Sequence, residues 1–196
     1  MRRTTFDALL TVAGLGLAIV LLIAGGLLTW GYTFTSNQVH NQLAAQKIFM
    51  PAKGSDALKA LPAADRAAMT AYAGQQLVNG QQAEAYANHF IAVHLQAIGG
   101  GKTYSQLSAE SLAQPNNAKL AGQVQTIFRG TTLRGLLLNA YAFWQIGQIA
   151  LIAAIASFAG AALMLILSGF GIAHLRRTAP EVEVLPGIAH KEVQPA

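Results

Sequence analysis

The chain has no cysteine. No disulfide staples any exposed part, no thiolate nucleophile exists, and cysteine-based zinc or iron–sulfur centres are excluded. Charge is also scarce. Only 11% of the 196 residues are Asp, Glu, Lys or Arg, where a soluble domain usually carries about a quarter. The shortage is concentrated: no ionised residue lies between Asp7 and Lys47, and none between Arg134 and Arg176. This argues against a free-standing cytosolic enzyme. Two apolar blocks flanking a middle of ordinary polarity are the layout of a membrane protein with two spans.

The net charge of +5 raises the question of nucleic acid. Residues 31–135 hold eight Lys and Arg against four Asp and Glu, a mild excess with no basic run interleaved with aromatics. That bias suits anionic headgroups or an acidic partner rather than a phosphate-tracking groove, so the partners expected are the lipid bilayer and another envelope or membrane protein, or further copies of the chain, with no nucleic acid.

The first apolar block, Ala8 to Thr29, is roughly 33 Å long as a helix, enough for a bilayer core. With Trp30 it predicts a transmembrane helix over residues 8–30. Arg2 and Arg3 precede it, and Trp30 and Tyr32 follow at the depth amphipathic rings prefer. The exit Leu27-Leu28-Thr29-Trp30-Gly31-Tyr32 carries no Ala-x-Ala cleavage pattern, which predicts an anchor rather than a removed signal. The second block is uncharged from Gly135 to Ala173, longer than one crossing needs, with Asn139, Gln145 and Gln148 confined to its first third. Residues 136–173 therefore read as an interfacial extension leading into a span near Gln148 to Gly171, closed by His174, Arg176 and Arg177. The arginines before the first span place both termini in the cytoplasm. Residues 1–7 and 174–196 are then cytoplasmic, the tail after Arg177 predicted to lack fixed structure.

Small residues mark faces where helices can pack closely: Gly14, Ala18, Gly25 and Gly26 in the first span, and Ala150, Ala154, Ser157 and Ala161 in the second. No ionisable residue lies inside either apolar core, which removes the strongest sign of a transport pathway.

Residues 31–135 are rich in Ala, Gln and Leu and poor in β-branched runs, so they read as four or five helices. Ser36 or Asn37 is a candidate start for a helix carrying Val39, Leu43 and Ile48 and stopped by Pro51 and Gly54. Pro62 suits a first helical position, and Asn79-Gly80 suits the stop of that segment. Gln81 to Ile98 is the clearest helix, with Tyr86, Phe90 and His94 on one stripe and Gly99-Gly100-Gly101 ending it. Thr103 and Gln106 form a capping-box pattern, and Asn116 or Asn117 opens a last helix that continues, with a bend near Gly130, into the second span. The predicted fold is all-α: an antiparallel hairpin of two transmembrane helices with an extracytoplasmic four- to five-helix domain between them, in the plasma membrane.

Tests for chemistry return little. Gly99-Gly100-Gly101-Lys102-Thr103 is a partial phosphate loop, but Gln96 stands where another glycine belongs and a helix precedes it. His89 and His94, like Glu84 and His89, are five apart and diverge by about 140° on an α-helix. His94 then reads as a core histidine. No Gly-x-Ser-x-Gly elbow exists. No catalytic residue, metal ligand or cofactor is assigned. The more suggestive group is Tyr141, Phe143 and Trp144 with Asn139 and Gln145, which reads first as an aromatic belt with helix packing and alternatively as a groove for a lipid, quinone or prenyl chain at the outer interface. Arg129 and Arg134 upstream suit headgroup phosphates and equally suit setting the depth of the helix.

The strings Leu28-Thr29-Trp30-Gly31-Tyr32, His40-Asn41-Gln42-Leu43-Ala44-Ala45-Gln46, Gly99-Gly100-Gly101-Lys102-Thr103-Tyr104, Arg134 through Trp144 and His174-Leu175-Arg176-Arg177 resemble an uncharacterised family of two-span membrane proteins from high-GC Gram-positive bacteria. Some members of that family are labelled the small subunit of an aromatic ring-opening dioxygenase. The residues here give that label no support, since a non-haem iron centre takes two histidines and a carboxylate converging on an open site. The expectation is a non-enzymatic integral membrane protein whose outer domain binds an envelope component or its own copies. A carrier or sensor of a lipophilic ligand is the alternative, and an oligomeric pore the further one.

Overall fold

The computed structural model describes residues 3–177, with side chains from residue 5. The expectations for Met1 and Arg2, for the Arg3 side chain and for the tail from residue 178 lie outside the described residues. Among those described the chain is all-helical: α1 (Arg3–Gln46), α2 (Asp56–Lys59), α3 (Ala63–Thr70), α4 (Gly80–Tyr86), a π-helical turn (Ala87–Ile91), α5 (Ala92–Gly99), α6 (Tyr104–Ala113) and α7 (Ala118–Leu175). The chain divides into two compact units, Met1–Trp30 with Ala150–Ala196, and Gly31–Ile149. Helices α1 and α7 contribute to both.

With 44 and 58 residues, α1 and α7 are about 66 and 87 Å long, each long and apolar enough to span a membrane. Only 17% and 11% of their most apolar stretches are buried, so these are not the core helices of a packed globule. In the first unit the buried positions are Thr11, Ala18 and Gly25 on α1 and Ala154, Ala161 and Ser168 on α7. On each helix they recur every seven residues, the period that keeps one seam facing a neighbour. Contacts join Gly14 to Ser168, Leu21 to Gly160, and Gly25 to Phe158, where an added Cβ would stand 2.8 Å from the ring. Two hydroxyls along the seam bond back to their own helices, Thr11 to the carbonyl of Asp7 at 2.8 Å and Ser157 to that of Ala153 at 2.8 Å, while the buried Ser168 Oγ donates across to the Thr11 carbonyl of α1 at 3.5 Å. His174 and Asp7 approach to 3.8 Å at one end of the seam.

The second unit has a conventional core. Val39 and Leu43 of α1, Met50, Leu58, Leu61, Met69, Leu77, Ile91 and Leu137 of α7 form one buried cluster; Leu107, Leu120 and Ile127 form a smaller one. Several local expectations need correcting. No helix starts at Ser36 or Asn37, because α1 is continuous through them and ends at Gln46, with Lys47 in the left-handed region at φ 52°. Its end is closed by Gln76, whose Nε2 donates to the Ala44 carbonyl at 2.9 Å. Asn79-Gly80 starts a helix rather than stopping one. The Asn79 side chain accepts the Gln82 backbone N–H at 2.9 Å, as an N-cap does, while the segment from Pro62 ends at Thr70. Between them the chain runs beside residues 48–51, with Met50 N–H bonded to Gln75 and Leu77 N–H to Ile48, so the backbone is satisfied without a strand.

The glycine run ends α5 as expected, with Gly100 and Gly101 at φ 59° and 80°. Thr103 and Gln106 complete the capping box, and Asn117 caps α7 by accepting the Leu120 N–H at 3.1 Å. Lys102 is held by Glu110 at 2.7 Å.

Candidate functional site

The clearest site in the second unit is an open cleft of about 630 Å³, formed along α4 and its π turn, part of α3 and the stretch of α7 around Trp144. The local reason begins with Gly80. An added Cβ there would fall on the Cβ and Cγ of Trp144, so only glycine lets the indole lie this close to the start of α4. Tyr141 and Trp144, one turn apart on α7, stack with ring centroids 6.3 Å apart and an interplanar angle of 24°.

The π turn decides what faces this aromatic wall. The Ala92 N–H bonds to the carbonyl of Ala87, five residues back, where an α-helix bonds four back. One residue is thereby inserted into the helical phase. The α-helical expectation that Glu84 and His89 diverge is overturned: both line the cleft with Gln81 and Ala85. Such π turns recur at functional sites because they re-aim side chains at a cost in helix geometry.

Two polar arrangements fix the cleft's charged groups. His89 Nδ1 lies 2.8 Å from Asp65 Oδ1 of α3, both side chains half-buried. The carboxylate orients the ring. Glu84 Oε1 accepts from Asn88 Nδ2 at 2.7 Å, and Asn88 Oδ1 accepts from Arg134 Nη2 at 2.8 Å. Arg134 Nε is buried and has no partner among the described residues. On the same helical stretch Tyr86 stacks on Phe90 at 5.0 Å, and burial pushes its phenol above the ordinary value of 10.0. The amides of Gln145 and Gln148 complete the rim.

The residues singled out in the sequence do not gather in one place. Tyr141 and Trp144 line the polar cleft, while Asn139 and Phe143 line a separate apolar groove of about 450 Å³ with Phe34, Val39 and Leu136. The helical period separates them: Tyr141 and Trp144, three apart, share one face of α7, and Asn139 and Phe143, four apart, share another, each two residues from Tyr141. Arg134 turns inward to Asn88, whereas Arg129 borders a third hollow with Phe90 and His94. His94 is exposed rather than in the core, its Nδ1 2.7 Å from the Phe90 carbonyl one turn back. Trp30 is exposed and Tyr32 half-buried. Of the packing candidates, Gly14 and Gly25 meet side chains of α7, Ala18, Ala154 and Ala161 are buried, Ala150 and Ser157 are half-buried, and Gly26 faces open space.

Asp65, Glu84, Asn88 and His89 were missed as a group. Nothing in the spacing reports a π turn, and the Asp65–His89 pair spans 24 residues. Among the described residues no three His, Asp or Glu side chains are placed to share a metal ion. No protein-family model, curated protein or solved structure matches the chain.

Proposed function

We propose that the chain is a two-span plasma-membrane protein, both termini cytoplasmic, that works by recognition rather than turnover. Helices α1 and α7 form an antiparallel membrane hairpin, and the helical domain between them stands outside the membrane and engages an envelope component or further copies of the chain. The order of the contacts supports the hairpin: Gly14, Leu21 and Gly25 ascend α1 as Ser168, Gly160 and Phe158 descend α7. Bilayer residence is supported by the exposure of Leu10, Ile23, Ile152 and Phe170 along both helices, a density of bare apolar side chains that water does not tolerate on a monomer.

The observation that carries the recognition reading is the cleft at Gly80, whose aromatic wall is preset by close packing and whose polar rim is turned outward. Binding sites of this kind are largely formed before the ligand arrives. Crosslinking in intact, carbonate-washed membranes is the test. Capture of a specific envelope component or of an oligomer is the expected result; a protein that remains embedded and captures neither rejects the reading. Because the chain lacks cysteine, single cysteines at exposed Leu112 and at Arg177 report topology, the first accessible from outside and the second from inside.

The apolar groove bordered by Phe34, Leu136 and Phe143 favours a second reading, a lipophilic ligand such as a lipid, quinone or prenyl chain held at the outer interface. Native mass spectrometry from mild detergent tests it: a retained lipophilic mass lost in Leu136→Gln supports it, and ligand-free protein ends it.

A further inference from the structure

We infer that the cleft between α4 and Trp144 binds a neutral saccharide, an inference that rests on the recognition reading above and names its ligand. Three features of the cleft converge on this class.

The first is charge. The domain is mildly basic, yet no Lys or Arg lines this cleft; its ionisable groups are Glu84, His89 and two tyrosines. Asp65 occupies Nδ1 of His89, and Arg134 is committed to Asn88. A phosphate or carboxylate entering here meets a carboxylate and no free cation, so its lost hydration goes unreplaced. Anionic ligands are selected against.

The second is the pairing of flat aromatic surface with amides. Tyr141 and Trp144 offer adjacent, nearly parallel rings, whose electron-rich faces attract polarised C–H groups. Around them stand the amides of Gln81, Gln145 and Gln148. None of these amides is engaged by another protein group among the described residues. An amide offers both donors and acceptors, and so does a hydroxyl. A pyranose presents a C–H face to the rings and a rim of hydroxyls to the amides, satisfying both. A quaternary ammonium satisfies no amide donor, and an acyl chain leaves all of them unpaired, which is costly once water is displaced.

The third is pre-organisation. Trp144 is seated against Gly80, and the π turn holds Glu84 and His89 on the same side as the rings. The volume of about 630 Å³ falls within the usual range for small-ligand sites.

The test uses the full chain in a polyoxyethylene detergent, because sugar-headed detergents would compete. The chain has two tryptophans, so Trp30→Phe leaves Trp144 as the sole indole reporter. Maltotriose, cellotriose and chitotriose are titrated into the millimolar range, with choline and glucuronate as charged controls, and calorimetry on the unsubstituted chain provides an independent readout. The expected result is a saturable change in Trp144 emission with at least one trisaccharide, weakened about tenfold or more by Gln145→Ala and by Glu84→Gln, the loss of one or two ligand hydrogen bonds. Flat titrations with all three sugars overturn the inference, as does an equal response to choline or glucuronate or a response indifferent to both substitutions. The same preparation separates the two failures. Membranes that retain the protein through carbonate and still capture a partner, while sugars stay silent, reject the saccharide alone; a protein that captures nothing rejects the recognition reading as well.

Discussion

The two units of this chain bury different kinds of side chain. In Met1–Trp30 with Ala150–Ala196 the residues removed from the surface include Ala18, Ala154 and Ala161, while in Gly31–Ile149 the most deeply buried large side chains are Met69 and Leu77. The contrast follows from the solvent each is proposed to meet. In hydrocarbon, burying a leucine gains nothing over leaving it against lipid, so helices associate through close backbone approach and interlocking shape, which small residues permit. In water, large apolar side chains supply the driving force, at about 25 cal/mol for each Å² buried.

The sharpest way to break the contrast is to make the same kind of change in both units. Leu77→Ala, at a fully buried site, is expected to lower stability by about 2–5 kcal/mol, read as a large fall in the melting temperature of the purified protein. Ile152→Ala, on an exposed face of the proposed span, is expected to shift it by less than about 0.5 kcal/mol. Equal effects would erase the distinction. In the seam the sign reverses, because adding volume is what harms. Gly25→Leu drives a side chain into Phe158 and is expected to cost about 1–3 kcal/mol of helix association. Disulfide formation between cysteines placed at Gly14 and Ser168 measures it, forming readily in the parent background and slowly once residue 25 is enlarged.

Within the helical domain the effects are smaller. A double-mutant cycle on Asp65→Asn and His89→Gln, which removes the 2.8 Å contact, should return a coupling of about 1 kcal/mol; zero coupling would remove the reason for the ring's orientation. Smallest is the alkaline limb. Burial favours the protonated Tyr86 phenol in the folded state. The folded value therefore lies above the unfolded one, and this contribution is complete below the ordinary phenol value and lost as pH rises through and beyond it. Unfolding midpoints measured upward from neutral pH should decline in that window for the parent and less for Tyr86→Phe.

How much was legible depends on the range of the interaction that sets each feature. The capping box at Thr103 and Gln106 and the glycine stop at Gly100 are decided within four residues and were read directly. The Asn79-Gly80 start was misread because Asn favours both a cap and a left-handed stop, and the two residues alone do not choose between them. The cleft was opaque for a related reason. A single π turn re-phases His89 against Glu84, and a periodicity argument at 100° per residue assigns them to different faces.

Composition and the spacing of charge alone determined that this is a helical chain with two stretches long and apolar enough for a bilayer, since both follow from local propensity and from how hydrophobicity is distributed along the chain. Tertiary structure decided which turns became caps, that Asp65 meets His89, that Tyr141 and Phe143 part company, and that Gly80 makes room for an indole. Those outcomes depend on which surfaces arrive together in space, and no local pattern records that.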